Sequence, residues 1–306
     1  MSIQYLPYKE IDKIKWDQCI KQSTNKLIYA ETVYLDEMAT NWDGIILNDY
    51  EAVMPLPWRM KFGIKYLYQP AFIQQGGIYY KDQLDSNTIK EFIQLAMTHF
   101  KFGEIALNYS NKLEIAIDTF IQRERNNFIL PIKDTYNNIA TKYKTSLQGK
   151  LKRLSKFKLK YITSENYQEI IQLFRQLYKE RVHLNDIDYA NFENLCNILS
   201  NENRLVIRQV STSDGELLAG ALMIKDNNRI INLMPCITNH GKMKHANYFL
   251  FNSLIEEFSN QGILIDFEGS DISGIEMFYK NFTEENQTYT FIKWNNLPFP
   301  INLFKR

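Results

Sequence analysis

The sequence predicts an α/β (α+β) chain of two tandem units, each a mixed, mostly antiparallel sheet flanked by helices. Three observations carry that expectation. In the second half, three strand-like runs joined by turns precede a helix and a fourth run, an order in which the crossover helix lays the last strand parallel to the third. The first half repeats this order more faintly: Phe100-Lys-Phe-Gly-Glu-Ile-Ala-Leu-Asn108 is echoed by Phe258-Ser-Asn-Gln-Gly-Ile-Leu-Ile-Asp266, a period of about 160 residues. A chain of 306 residues that is 45% hydrophobic is also longer than one ordinary domain and rich enough for two cores.

Taken in order, Ile11 to Gln22 and Thr32 to Thr40 read as helices, and strands at Ile45 to Leu47 and Ala52 to Pro57 meet across Asn48-Asp49. A longer strand region spans Tyr66 to Tyr80, Thr88 to Phe100 is a helix, and Gly103 precedes a strand at Glu104 to Tyr109. Tyr167 to Arg181 is helical, with Ile170, Ile171, Phe174, Leu177 and Tyr178 at three- and four-residue steps, and Phe192 to Leu199 is a shorter helix. Strands Leu205 to Val210 and Leu217 to Ile224 join through Asp214-Gly215, and Ile230 to Ile237 follows the polar turn before it. The crossover helix runs from Lys244 to Asn260, and Gly262 is placed to end it. A strand at Ile263 to Ile265, a helix from Ile272 to Phe282 and a last strand from Thr288 to Trp294 complete the chain. The domains expected are 1–139 and 140–306, the second opening on a basic helix at 143–156.

Composition excludes several classes. No window approaches eighteen uninterrupted apolar residues, and the first ten residues have neither a basic nor an apolar leader region, so a soluble cytoplasmic protein without stable membrane insertion is expected. Cys19, Cys196 and Cys236 are odd in number, distant and outside any metal spacing; buried thiols are the expectation, and disulfides and a structural zinc are not. His183, His240 and His245 have no mutual metal spacing and His99 lies on an apolar helix face, so no metal is expected. The net charge of +1 conceals an asymmetry. Between Asp134 and Glu165 no acid occurs but eight bases do, and the other 28 bases are set against all 35 acids. That stripe suits a phosphate-bearing partner, with a solvated helix face as the alternative. tRNA binding without transfer would need a wider basic surface than this one segment, and no DNA partner is expected.

The most informative stretch is Ile263 to Phe282, where a short β-branched strand ends in polar groups that open into a helix. Asp266 and Glu268 are two apart, which puts them on one face of an extended chain. Ser270 and Asp271 suit helix capping.

This order of elements resembles the GNAT (N-acetyltransferase) superfamily of acyltransferases, and Phe278-Tyr-Lys-Asn-Phe282 looks like the segment after the fifth strand of such enzymes. Two such units joined by Tyr143-Lys-Thr-Ser-Leu-Gln-Gly-Lys-Leu-Lys-Arg-Leu-Ser-Lys156 resemble the tandem Fem-type peptidyltransferases, which move an amino acid from aminoacyl-tRNA onto a cell-wall precursor. Bacterial GNAT- and Fem-like proteins also carry runs comparable to Asp49 to Arg59, Tyr68 to Gln75 and Asp266 to Ser270, so the resemblance covers essentially the whole chain. It implies acyl or aminoacyl transfer, from acetyl-CoA or another acyl-CoA or from aminoacyl-tRNA, to an amine of a small molecule or cell-wall precursor. The alternative is a binding or scaffold protein of envelope biosynthesis that kept the fold without turnover.

Within that resemblance, Tyr279 takes the place of the general acid, and Glu268 is the candidate base, with helix capping or lysine pairing as its other reading. Asp266, placed deeper, is expected to form structural hydrogen bonds. The loop Asn239-His-Gly-Lys-Met-Lys-His-Ala246 replaces the family's glycine-rich pyrophosphate loop, so His240, Gly241, Lys242 and Lys244, with Lys152 and Arg153 of the basic helix, are candidates to hold the donor phosphates through charge more than through backbone. In the first half, Trp58, Arg59, Gln69, Gln74 and Gln75 interrupt apolar stretches; they line an acceptor cleft or satisfy neighbouring backbone.

Overall fold

In the computed structural model, which describes residues 2–113, 120–269, 272–300 and 302, the chain divides into two compact units. Ser270 and Asp271, the expected caps, lie outside the described residues. One unit is Met1–Arg125 with Thr288–Arg306, the other Asn126–Gln287.

The first unit runs β1 (Ile3–Leu6), α1 (Lys13–Gln22), α2 (Thr32–Met38), β2 (Trp42–Leu47), β3 (Ala52–Lys61), β4 (Ile64–Leu67), β5 (Tyr79–Tyr80), α3 (Ser86–His99), β6 (Phe102–Ala106) and β7 (Ile121–Arg125). The Asp12 carboxylate accepts from the Ile14 and Lys15 amides at the head of α1, and Asp85 accepts from Thr88 at the head of α3, satisfying amides that have no partner inside the helix. Strands β1 to β4 pair antiparallel in sequence order, with β5 on β3. The long strand expected from Tyr66 to Tyr80 is broken between Leu67 and Tyr79. Pro70 there cannot donate to a ladder, and Phe72 and Gly77 have φ of 58° and 77°.

The second unit runs β8 (Ile129–Ile132), α4 (Tyr136–Thr141), α5 (Thr145–Arg153), β9 (Lys160–Ser164), α6 (Tyr167–Tyr178), α7 (Asp186–Asn201), β10 (Leu205–Ser211), β11 (Leu217–Asp226), β12 (Arg229–Ile237), α8 (Asn239–Met243), α9 (Ala246–Glu257), β13 (Ile263–Asp266) and α10 (Ser273–Tyr279). Helix α7 starts earlier than its apolar spacing suggests, because Asn185 and Asp188 form a capping box. The sheet order is β8-β13-β12-β11-β10-β9, and only β12 and β13 are parallel, as the crossover helix requires. Ala219 and Ala221 belong to the core that α9 supplies with Leu250, Phe251, Leu254 and Ile255, while Gly220, out of phase with them, faces Ile170 of α6. Among the described residues no helix is long and apolar enough to cross a membrane.

The last strand, β14 (Tyr289–Asn295), pairs with β6 and β7 and so belongs to the first unit, while β8 pairs with β13 of the second. A single division at 139/140 therefore does not describe the units: one boundary falls at 125/126, and the chain returns to the first unit after Gln287. Alternation along a strand reports which face is buried, not which sheet it joins. Trp294 of β14 is buried, its Nε1 donates to the Phe100 carbonyl at 2.7 Å, and a Cβ on Gly103 would lie 2.3 Å from its ring. Replacing Trp294 with Ala should destabilise the first unit by about 3–5 kcal/mol in urea unfolding. A loss below about 1 kcal/mol would mean that β14 does not complete its core.

Candidate functional site

Parallel pairing of β13 with β12 covers only Arg229 to Ile231 against Leu264 to Asp266, although β12 continues to Ile237. At the point where the strands part, the ladder between β12 and β11 slips. Ile231 lies opposite Ile224 and Met234 opposite Leu222, so Asn232 and Leu233 together face one residue, Met223. This is a β-bulge, which bends its strand and takes a residue out of the ladder.

Three side chains converge on this fork. Asp266 is buried; its Oδ2 accepts from Arg229 Nη1 at 2.6 Å and its Oδ1 from the Glu268 amide at 3.0 Å. Asp266 thus has the structural role expected of it. The expected alternation of Asp266 and Glu268 on one face does not occur, because β13 ends at Asp266 and Glu268 adopts φ of 49°. A non-glycine residue held there costs about 1–2 kcal/mol, a strain found at functional turns. Gly269 must follow, since a Cβ would lie 1.4 Å from the Asn126 carbonyl oxygen.

Tyr279, the last residue of α10, is buried with its ring stacked on Phe267 at 4.7 Å, and its hydroxyl accepts from Asn232 Nδ2 at 3.2 Å. Burial pushes its phenol well above the usual tyrosine range, and the nearby Glu268 carboxylate pushes it further. It is therefore a neutral hydrogen-bond donor throughout the physiological range. Asn232 was not singled out by sequence reasoning. Its signal is a lone amide within Ile230-Ile-Asn-Leu-Met234, and its Oδ1 is buried without a partner.

A second cluster forms where α5 meets the start of α9. Leu147 and Leu154 are buried, and Lys150 Nζ donates to the Tyr248 hydroxyl at 2.8 Å while lying 4.1 Å from its ring centre. His245 precedes α9 in a left-handed conformation and supplies no side-chain cap, which leaves the positive end of the helix to other partners. Burial first, then the charges of Lys150 and Arg153, hold its imidazole below the usual histidine range. Lys244 Nζ lies 5.5 Å from the Phe157 ring.

Of the donor candidates, Arg153 and Lys244 thus sit around the head of α9, with Lys150 and His245 beside them; Arg153 and Lys152 are both exposed. His240 is paired with Glu216 at 2.8 Å, and Lys242 donates to Asn239. Gly241 donates its amide to Thr238 Oγ1, and a Cβ on it would lie 2.2 Å from the Leu218 carbonyl oxygen. That glycine serves strand packing, and its amide is not available to phosphate.

The first-unit candidates divide by role. Gln69 donates to the Ile73 carbonyl and accepts from the Ala106 amide; Gln75 accepts from the Tyr109 amide and donates to Gln74. These amides satisfy backbone and each other, the second of the two expected roles. Arg59 donates to Thr40 and stacks on Tyr68. Trp58 helps line a cleft of 470 Å³ with Tyr8, Thr40, Trp42, Asp43 and Lys65.

Among the described residues no cluster of His, Cys, Asp or Glu could hold a metal. The three thiols are buried; burial pushes Cys19 up to about 11, Cys236 up to about 12 and Cys196 well above its ordinary range.

Comparison with known proteins agrees with this architecture. Residues 141–281 match the Acetyltransferase (GNAT) domain. Across the whole chain the fold is similar to that of FemX, with a TM-score of 0.67 and 12% identity over 100% of both chains. It is also similar to a tandem GNAT protein from the clavulanic acid biosynthesis pathway, solved without AcCoA, with a TM-score of 0.57 and 8% identity over 97% of this chain and 99% of that one. L-PGS from Bacillus licheniformis gives a TM-score of 0.52 and 12% identity, covering 96% and 95%. A search of curated proteins finds no match.

The cluster at α9 generates a titration test. Arg153→Gln should raise the His245 pKa toward about 6.5, read by NMR, because one of the charges opposing the imidazolium is gone. With a depressed folded-state pKa, His245 contributes stability that is present above about pH 6.5 and lost as pH falls. An unmoved pKa would place Arg153 outside the cluster.

Proposed function

We propose, from the premise that the second unit is a GNAT-superfamily domain within a tandem GNAT fold, that this chain transfers an acyl or aminoacyl group from a phosphate-bearing donor to an amine acceptor. The observation that carries this reading is the strained Glu268, fixed by the buried Asp266 carboxylate and its Arg229 partner where β12 and β13 part, beside the neutral phenol of Tyr279. Acyl-CoA and aminoacyl-tRNA both fit the donor class. Each carries phosphates for Lys150, Arg153, Lys244 and the positive end of α9, and the Fem-type resemblance brings in the second. The acceptor in this reading is an amine of a small molecule or of a cell-wall or envelope precursor.

In the proposed step Glu268 takes the proton of the acceptor ammonium, and the freed nitrogen lone pair forms the new C–N bond at the donor carbonyl. A backbone amide released from the ladder by the bulge at Asn232-Leu233 is the candidate to stabilise the oxyanion. As the carbonyl reforms and the bond to the leaving sulfur or oxygen breaks, the Tyr279 hydroxyl gives its proton to the leaving group and regains one from the second proton shed by the new amide nitrogen, while Glu268 releases its proton to solvent. The buried, protonated thiols argue against a covalent acyl-enzyme at cysteine. The enclosure of Tyr279 favours a second reading, a binding protein of envelope biosynthesis that holds the same ligands without turnover.

Glu268→Gln should lower kcat by roughly 10²–10⁴ with donor affinity retained, and Tyr279→Phe should lower kcat with thermal stability nearly unchanged. Turnover unaffected by both changes would remove these residues from the mechanism. Calorimetric titration with acetyl-CoA, an aminoacyl-tRNA and a nucleotide-linked cell-wall precursor identifies the donor. Arg153→Glu should weaken donor binding and flatten its salt dependence, whereas unchanged affinity would exclude the α9 cluster. Donor binding without product from any of the amines tested would favour the binding protein.

A further inference from the structure

Beyond Pro57, the last residue of β3 paired with β2, strands β3 and β4 continue alone as a two-stranded ribbon. Trp58 pairs with Leu67, Arg59 with Tyr66, Met60 with Lys65 and Lys61 with Ile64, leaving Phe62 and Gly63 as a two-residue turn. Their φ values, 52° and 75°, are both positive, as a hairpin turn matched to strand twist requires, and the residue favoured at the first position is asparagine. Phenylalanine in that conformation is strained, and it gains no burial in return: Phe62 is 91% exposed and Met60 is 56% exposed.

The ribbon's own residues carry one sign of charge, although Asp36 and Asp43 line the cleft at its base with Trp58 and Lys65. No acid occurs from Ala52 to Lys81, whereas Arg59, Lys61 and Lys65 all lie on the ribbon. Lys61 Nζ is 5.6 Å from the Phe62 ring centre and Lys65 Nζ 4.1 Å from that of Trp58. Neither lysine forms an ion pair among the described residues.

We infer that this hairpin seats the chain on an anionic lipid bilayer, Phe62 and Met60 entering the boundary between headgroups and acyl chains and Lys61 and Lys65 meeting lipid phosphates. Apolar tip residues and a basic collar are the two signals that together give lasting peripheral attachment, since either alone is marginal. Lysine stems also reach from the apolar boundary to the charged surface. This surface lies in the first unit and does not depend on the acyl-transfer reading of the second.

Co-sedimentation of the full chain with vesicles of phosphatidylcholine, and with vesicles in which about a third of the lipid is phosphatidylglycerol, tests the inference. The chain should pellet with the anionic vesicles only and be released by salt. Phe62→Asn should weaken this binding roughly ten-fold, while thermal stability holds or rises because asparagine suits the left-handed turn. Lys61→Gln and Lys65→Gln should each weaken it roughly five-fold. Equal pelleting with both vesicles, pelleting with neither, or wild-type binding by Phe62→Asn would overturn the inference.

Discussion

The second unit depends on one ion pair whose carboxylate is buried. Asp266 is the last residue of β13 and Arg229 the first of β12, and their contact fixes the two parallel strands at the end where they still touch. Arg229 also donates to Gln287, the last residue before the chain leaves this unit, and Asp266 uses its other oxygen to hold the Glu268 amide. Removing one partner of such a pair costs about 3–5 kcal/mol, because the other charge is left buried and unpaired. The carboxylate therefore supports both the strand junction and the strained turn after it.

From that junction the fork follows. Three residue pairs join β13 to β12 while β8 holds its other edge, and the bulge at Asn232 then bends β12 away. Glu268 follows β13 and Tyr279 ends α10, yet they lie near enough for the carboxylate to act on the phenol, which burial keeps neutral. The positive cluster on α5 and α9 is built from other elements, so the proposed phosphate contacts and the proposed proton transfers fall on separate residues.

Much of this was legible in the sequence. The meander, the crossover helix and the parallel strand follow from period, turn dipeptides and order; Glu268 was marked by a strand ending in polar groups, and Tyr279 by the family resemblance. Partner choice was not legible: β8 and β14 exchange places between the units because pairing across more than a hundred residues leaves no local trace. Nor was the conformation of Glu268, since nothing in an Asp-Phe-Glu-Gly run distinguishes continued extension from a left-handed turn. The contact of Lys150 with Tyr248 and that of His240 with Glu216 were not legible, because charge density locates a stripe but not the partner of each member. The glutamines of the first unit showed that they needed partners, but not that the partners were backbone.

The central claim is that the fork between β12 and β13 holds a working base at Glu268. The most direct measurement is the pH dependence of kcat/KM for transfer to an amine, in the wild type and in Glu268→Gln. The wild type should lose activity on the acid side along a limb that is missing from the residual activity of the variant. The same acid limb in both proteins would contradict the account.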